Sequence, residues 1–184
     1  RFVQARSFNV VYGGAEANVA VSLANFGIPA DYVTCLPDNE LGDACLNYIR
    51  QFDVNTENIV RSRNRLGIYF NEMGAVQRGN KVIYDRDNSA IANIKTGMID
   101  WSKVFVNAGW FHWTGITPAL SQGAADVCLE AVKKAKEMDL TVSCDLNYRA
   151  QLWKYGKTPN EVMSELVRHI DVLVGNEEDA DKVF

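Results

Sequence analysis

The 184-residue chain reads as an α/β protein, a parallel sheet flanked by helices and interrupted once by a β-hairpin. Three observations carry that reading. Short β-favouring runs alternate with longer runs of helical period, the pattern of right-handed strand–helix–strand crossovers. The rhythm breaks after Asn64, where two strand-like runs follow each other with only a glycine-containing loop between them. Polar residues and glycines then recur just beyond the strands, at the carboxyl edge where open α/β sheets bind ligands.

Residues 6–12 favour β structure with a loose period of two and end at Gly13-Gly14. From 15 to 26, Ala17, Ala20, Val21 and Ala24 recur at helical spacing, and Gly27 with Pro29 stops the helix. Residues 30–36 read as a buried strand. Pro37-Asp38-Asn39 turns the chain, with Asp38 as the expected N-cap of a helix running to about Phe52. Residues 65–73 and 81–86 form the hairpin around Gly74, Gly79 and Asn80, and 89–94 could add a short third strand. Periodicity alone leaves open whether the hairpin is an independent flap or an antiparallel edge of the main sheet.

The α/β rhythm returns at 110–114, a strand ending at Gly115. Residues 122–138 place Ala124, Val127, Cys128, Ala131, Val132 and Ala135 on one helical face. A buried strand at 140–145 leads into Asp145-Leu146-Asn147-Tyr148-Arg149. Thr158-Pro159-Asn160-Glu161 is a capping box with proline at the first helical position, opening a helix through Ile170. A last strand at 171–174 precedes Gly175-Asn176-Glu177-Glu178-Asp179. Arg1 and the starting helix at Phe184 give both ends the look of a cut chain.

Composition narrows the function classes. A net charge of −4 argues against a nucleic-acid partner. Charged residues interrupt every apolar run, so no membrane span is expected, and residues 1–12 lack the apolar core of a signal peptide. Cys35, Cys45, Cys128 and Cys144 stand singly, far from His112 and His169, without zinc spacing. Reduced thiols in the cytoplasm are the expectation.

Two familiar motifs fail. Gly156-Lys157-Thr158 resembles the end of a phosphate-binding loop, but the upstream glycine would fall on Gln151, and Thr158 is explained by its cap. Gly13-Gly14 lacks the spacing of a dinucleotide fingerprint. What remains is Gly13, Gly14 and Asn18, then Gly115, then Asp145 to Arg149, then Asn176 to Asp179, all at strand carboxyl ends. Singly, each has a plain explanation: a tight turn, a surface ion pair, a helix cap. Four on one edge of one sheet describe a site.

Gly13-Gly14-Ala15-Glu16-Ala17-Asn18-Val19-Ala20, followed by Gly27, resembles the N-terminal signature of the ribokinase/PfkB family of sugar kinases. The hairpin with Tyr69, Tyr84 and Arg86 falls where that family inserts a β-sheet lid. Asp145-Leu146-Asn147-Tyr148-Arg149 resembles its D-x-N-x-R strand end, and Asn176-Glu177-Glu178-Asp179 its N-x-x-E motif. Gly-Ala-Glu at 14–16, Gly67-Ile68-Tyr69-Phe70, Tyr84-Asp85-Arg86 and residues 111–120 point more narrowly to 2-keto-3-deoxygluconate kinases. Glu16, Pro37 and Asp179 depart from the general pattern.

The resemblance implies a ribokinase-like body at 12–63 and 94–184, a β lid at 6–11 and 64–93, and truncation at both ends. It implies ATP-dependent phosphorylation of a sugar acid by the full-length enzyme. Gly13, Gly14, Asn18, Tyr69, Tyr84, Arg86, Gly115 and Arg149 would bind the sugar acid; Asn176 and Asp179 would face ATP, Asp179 reaching Mg²⁺ through water. No catalytic residue lies in this chain, because the family's G-A-G-D segment with its base is absent. A homodimer through the lid is the implied assembly. Arg86 and Arg149 offer planar donor forks suited to a carboxylate. The alternatives are a non-catalytic sugar-binding module on this fold and a family member acting on a neutral sugar or a nucleoside.

Overall fold

The computed structural model describes residues 1–184. Its centre is a three-stranded parallel sheet formed by β5 (Trp110–Thr114), β6 (Thr141–Asp145) and β7 (Val172–Val174), in that order. Trp110 pairs with Thr141 and Thr114 with Asp145, so the polar ends of β5 and β6 lie level. Strand alternation puts Phe111, Trp113, Val142 and Cys144 on one face, and Trp110, His112, Thr114, Ser143 and Asp145 on the other.

The first face carries the core. Helix α4 (Gln122–Glu137) lies against it through Ala124, Val127, Ala131, Val132 and Ala135. Alanines fully shielded from solvent let this helix approach the sheet closely. Its end is a Schellman motif: Asp139 takes φ +59°, and the Leu140 amide reaches the Ala135 carbonyl at 2.9 Å. Helix α5 (Pro159–Leu166) completes the layer with Met163 and Leu166, started by the expected capping box at Thr158 and Glu161.

Helix α1 (Ala15–Asn25) ends in a second Schellman motif, in which Gly27 takes φ +75° and the Ile28 amide bonds the Leu23 carbonyl. Ala17 and Ala20 pack with Ile49 and Val54 in a smaller cluster that includes α2 (Glu40–Arg50). The N-cap of α2 is Asn39, whose side chain accepts from the amides of Leu41 and Gly42, and not Asp38. Either residue could cap, but Asn39 is the one with extended backbone immediately before the first helical turn.

Other expectations are also corrected. The buried strand at 30–36 shrinks to β1 (Cys35–Pro37), paired in parallel with an unanticipated β2 (Val60–Ser62); upstream, Asp31 makes only an isolated bridge to Asn55. This pair forms its own sheet, separate from β5–β7. Residues 6–12 form no strand, since their amides find no ladder partner, and Val10 and Val11 are exposed. Residues 89–94 contain a 3₁₀ turn, Ile91–Asn93, because Ser89 turns the chain through bonds to Ala92 and Asn93. A short helix, α3 (Trp101–Val104), was not anticipated, whereas α6 (Glu177–Val183) begins where expected.

The hairpin question is resolved. Strands β3 (Ile68–Glu72) and β4 (Lys81–Asp85) pair only with each other, antiparallel, as a free-standing flap and not an edge of the main sheet. Asn80 closes its loop by accepting from the Gly74 amide at 2.8 Å. Pairing sorts its residues onto two faces: Tyr69 and Tyr84 on one, Ile68, Phe70 and Ile83 on the other. The N-terminal segment covers part of the second face, with Phe8 5.2 Å from Phe70 and the Phe2 amide bonded to Glu72, while Ile68 and Ile83 stay exposed. No helix is long and apolar enough to cross a membrane.

Candidate active site

The site begins at the first turn of α1. Gly14 is the N-cap and contributes no side chain, so the turn between residues 12 and 15 leaves room for a ligand. A methyl group on Gly13 would stand 3.7 Å from Tyr69 Oη and 4.0 Å from Asn18 Oδ1. Gly13, Asn18 and Tyr69 therefore meet, although Asn18 and Tyr69 stand 51 positions apart in the chain.

Tyr84 lies beside Tyr69, ring centroids 6.3 Å apart, and the Arg86 guanidinium rests over both rings at 5.0 and 5.9 Å. Cation–π contact holds the planar fork in place without consuming its N–H donors. Arg86 enters no ion pair with the chain's own carboxylates; the neighbouring Arg65 pairs with Asp85 on the opposite face of the hairpin. A half-buried guanidinium with free donors suits a ligand anion.

Glu16 brings this group to the main sheet. Its Oε1 accepts hydrogen bonds from Thr114 Oγ1 and Thr117 Oγ1, both at 2.8 Å. Thr114 ends β5, so the start of α1 is fastened to the carboxyl end of that strand. The charges of Glu16 and Arg86 both act on Tyr32, whose hydroxyl is held above its usual range chiefly by burial.

Gly115 follows Thr114 and donates its amide to the Asp145 carbonyl at 2.8 Å. A Cβ there would lie 2.2 Å from the Leu146 carbonyl oxygen, so only glycine lets the ends of β5 and β6 come this close. Beyond β6, Asp145 Oδ1 accepts from the Asn147 amide, and Asn147 takes φ +39°. This Asx turn aims the chain toward Arg149, whose exposed guanidinium donates to the Tyr148 carbonyl at 2.8 Å. Arg149 thus reaches the same sheet edge but forms no bond with the hairpin group.

Asn176 and Asp179 lie apart from the others, at the end of β7, two strand spacings or about 10 Å across the sheet from Gly115. The Asn176 side chain caps α6, accepting from the Asp179 amide at 2.8 Å. Asp179 is half-buried, and shares the first turn of α6 with the exposed Glu177 and Glu178. No three His, Cys, Asp or Glu side chains are placed to hold a metal ion. A single hard-oxygen carboxylate fits a contact to Mg²⁺ through water and does not supply a coordination sphere.

A β-hairpin carrying two tyrosines and an arginine, facing a Gly-Gly-helix turn at the edge of a parallel sheet, can now be compared with known proteins. A family model described as pfkB family carbohydrate kinase matches residues 2–184. The chain belongs to the pfkB family. Among solved structures, 2-dehydro-3-deoxygluconokinase of Thermotoga maritima is 50% identical with a TM-score of 0.94, over 100% of this chain and 56% of that one. Fructokinase of Xylella fastidiosa with bound ATP is 26% identical with a TM-score of 0.87, over 98% of this chain and 56% of that one. Among curated relatives, 2-dehydro-3-deoxygalactonokinase of Haloferax volcanii is 33% identical over 97% of this chain and 56% of its own length. This pfkB-family chain spans about half the length of the relatives it matches.

Sequence reasoning missed four residues of this site. Glu16 drew notice only as a departure from the family signature, and Thr114 and Thr117 only as part of a matching run. Their hydroxyls beside a strand end were a usable signal; the pairing with Glu16, about 100 residues away, was not. The fourth is His112. Ser143 Oγ accepts from the Trp110 indole at 2.7 Å and lies 2.8 Å from His112 Nδ1. Ser143 thus ties the His112 ring to Trp110 on the same face of the sheet.

His112 also carries a pH prediction. Burial pushes its imidazole below the usual range, against the opposing pull of Glu16 and Asp145. The unfolded chain therefore binds more protons in the window below about pH 6.5. Stability should be complete above about pH 6.5 and fall as the pH drops toward the folded-state value. Urea midpoints measured from pH 7.5 to 5 should show this slope in the native chain and a shallower one in His112→Asn.

Proposed function

We propose that this chain is the sugar-binding half of an ATP-dependent sugar-acid kinase, acting on 2-keto-3-deoxygluconate or a close relative. The observation that carries the reading is the Arg86 guanidinium, stacked on Tyr69 and Tyr84 with its donors unpaired, above Gly13 and Asn18. Arg86, joined by Arg149, holds the substrate carboxylate in a planar fork. Asn18 and the backbone amides at Gly13 and Gly14 hold hydroxyls, Gly115 keeps the floor clear at the strand edge, and the tyrosines form an apolar wall with two further hydroxyls. The similarity to deoxy-keto-sugar-acid kinases supports the substrate class, and the similarity to an ATP-bound fructokinase supports the nucleotide.

Phosphoryl transfer is mostly positioning and charge stabilisation. In this reading the chain orients the sugar hydroxyl and screens it beneath the hairpin, which acts as a lid. ATP supplies the phosphoryl group, with Asn176 and Asp179 on its Mg²⁺ side and Asp179 touching the metal through water. The proton of the attacking hydroxyl goes to a base outside residues 1–184. The cavity between α1 and α2, lined by Tyr12, Gly13, Asn18 and Tyr48, measures only about 60 Å³, far short of the roughly 300 Å³ of a small-molecule pocket. The substrate accordingly lies in the open cleft between hairpin and sheet edge, closed on its far side by the rest of the enzyme.

We place the enzyme in the cytoplasm, in keeping with four free cysteines, and pair it into a homodimer through the outer face of the lid, where Ile68 and Ile83 are exposed. The test is a coupled assay beside calorimetry. The 184-residue chain should bind 2-keto-3-deoxygluconate without nucleotide and release no ADP when ATP–Mg²⁺ is added. Turnover by this polypeptide would overturn the assignment of the base, and absence of sugar-acid binding would overturn the assignment of the site.

A further inference from the structure

We infer that Glu16 is a positioning residue, the latch that sets where Gly13, Gly14 and Asn18 stand relative to the end of β5. The consequence for sugar affinity rests on the function proposed above; the latch itself does not.

Helix α1 has two sides. Ala17 and Ala20 pack on Ile49 and Val54, an apolar contact that holds one side of the helix but supplies no directional bond to its first turn. No side-chain cap or strand ladder holds that turn: Gly14 has no side chain to cap it, residues 6–14 form no sheet, and the contact just before it is the non-directional packing of Tyr12 on Tyr48. Among side-chain hydrogen bonds, the two received by Glu16 are those that join residues 13–25 to another element. They end on Thr114, fully buried at the end of β5, and on Thr117 in the turn after Gly115.

The chemistry explains a carboxylate here. A half-buried anion without a cationic partner must be satisfied by hydrogen bonds, and bonds to a charged acceptor are about twice as strong as neutral ones. Its place in the first turn of α1 adds favourable interaction with the helix dipole. One oxygen binds two hydroxyls that stand at fixed points of one strand end. A one-point tether would permit rotation; this fork fixes both distance and direction.

Hydrogen exchange of the unliganded chain tests the latch directly. Glu16→Ala should speed exchange of the Asn18 and Val19 amides about tenfold, the equivalent of losing about 1.4 kcal/mol of local protection, while α4 keeps native protection. Thr114→Val/Thr117→Val should do the same, and adding it to Glu16→Ala should change little, since both remove one interaction. Glu16→Gln, which keeps an acceptor oxygen, should stay within about threefold of native. Calorimetry with 2-keto-3-deoxygluconate should follow the same order: about tenfold weaker for the first two variants and near native for Glu16→Gln. Native exchange at residues 18 and 19 in Glu16→Ala, or full additivity of the two variants, would overturn the latch. Altered exchange in a chain that binds no sugar acid would uphold the latch and defeat the sugar reading alone.

Discussion

Arg86→Met should weaken binding of 2-keto-3-deoxygluconate by about 10- to 150-fold, the loss of a charge-assisted hydrogen bond worth about 1.5–3 kcal/mol. Methionine retains much of the packing over Tyr69 and Tyr84 while removing the donors, so the loss reports on the guanidinium. Affinity for a neutral sugar of the same size should scarcely change. Arg86→Lys should recover only part of the loss, because an ammonium cannot engage both carboxylate oxygens in one plane or stack on two rings as the guanidinium does. Circular dichroism should show the same fold in all three proteins, since Arg86 makes no ion pair on which the hairpin depends. An Arg86→Met chain that binds the acid with native affinity would remove the carboxylate from this place in the cleft.

Gly115→Ala should damage both fold and site. The added Cβ would meet the Leu146 carbonyl oxygen at 2.2 Å and its carbon at 3.2 Å, backbone atoms that no rotamer change can move aside. Relief requires opening the ends of β5 and β6, where the Gly115 amide bonds the Asp145 carbonyl. Overpacking of this kind costs about 1–3 kcal/mol, which in a chain of this size lowers Tm by about 2–4 °C per kcal/mol. The same movement shifts Thr114, and with it the Glu16 latch, so sugar binding should suffer beyond the loss of stability. Gly79→Ala is the matched control: a Cβ there meets nothing within 4 Å. Its stability should stay within about 0.5 kcal/mol of native, a Tm change of no more than about 2 °C.

The parts of this structure legible in the sequence were those with strong local signals. Helix α4 showed its apolar face at helical spacing, and β5 and β6 their short apolar runs between turn residues; these three formed within a residue or two of expectation. Helix α5 starts at its expected capping box but ends at Leu166, four residues before Ile170, where Val167–His169 tightens into a 3₁₀ turn. The hairpin was legible as two strands but not as a flap, because periodicity records what a strand buries and not which strand it pairs with. Residues 6–12 show the converse. Their β-favouring side chains describe a preference, and a strand forms only where a neighbour supplies the ladder. Between β1 and β2, a strand of three residues gives no period to detect.

The candidate site divides along the same line. Gly13, Gly14, Asn18, Tyr69, Tyr84 and Arg86 were singled out through motifs, and the structure places Gly13 beside Asn18 and Tyr69, with Arg86 over both tyrosine rings. Asn176 was singled out too, and its side chain is engaged in capping α6. Glu16 and its threonines were invisible because their relation is wholly long-range. A single carboxylate in a helix looks like a solvated surface residue until the strand end it touches is known.

The central claim is that this chain recognises a sugar by its carboxylate, in the cleft between hairpin and sheet edge. Isothermal titration of the chain, without nucleotide, against 2-keto-3-deoxygluconate and against fructose tests it most directly. The account predicts one site per chain, at least about tenfold preference for the acid, and loss of that preference in Arg86→Met. Equal affinity for the two sugars in the native chain, or a preference for the acid that survives Arg86→Met, would contradict it.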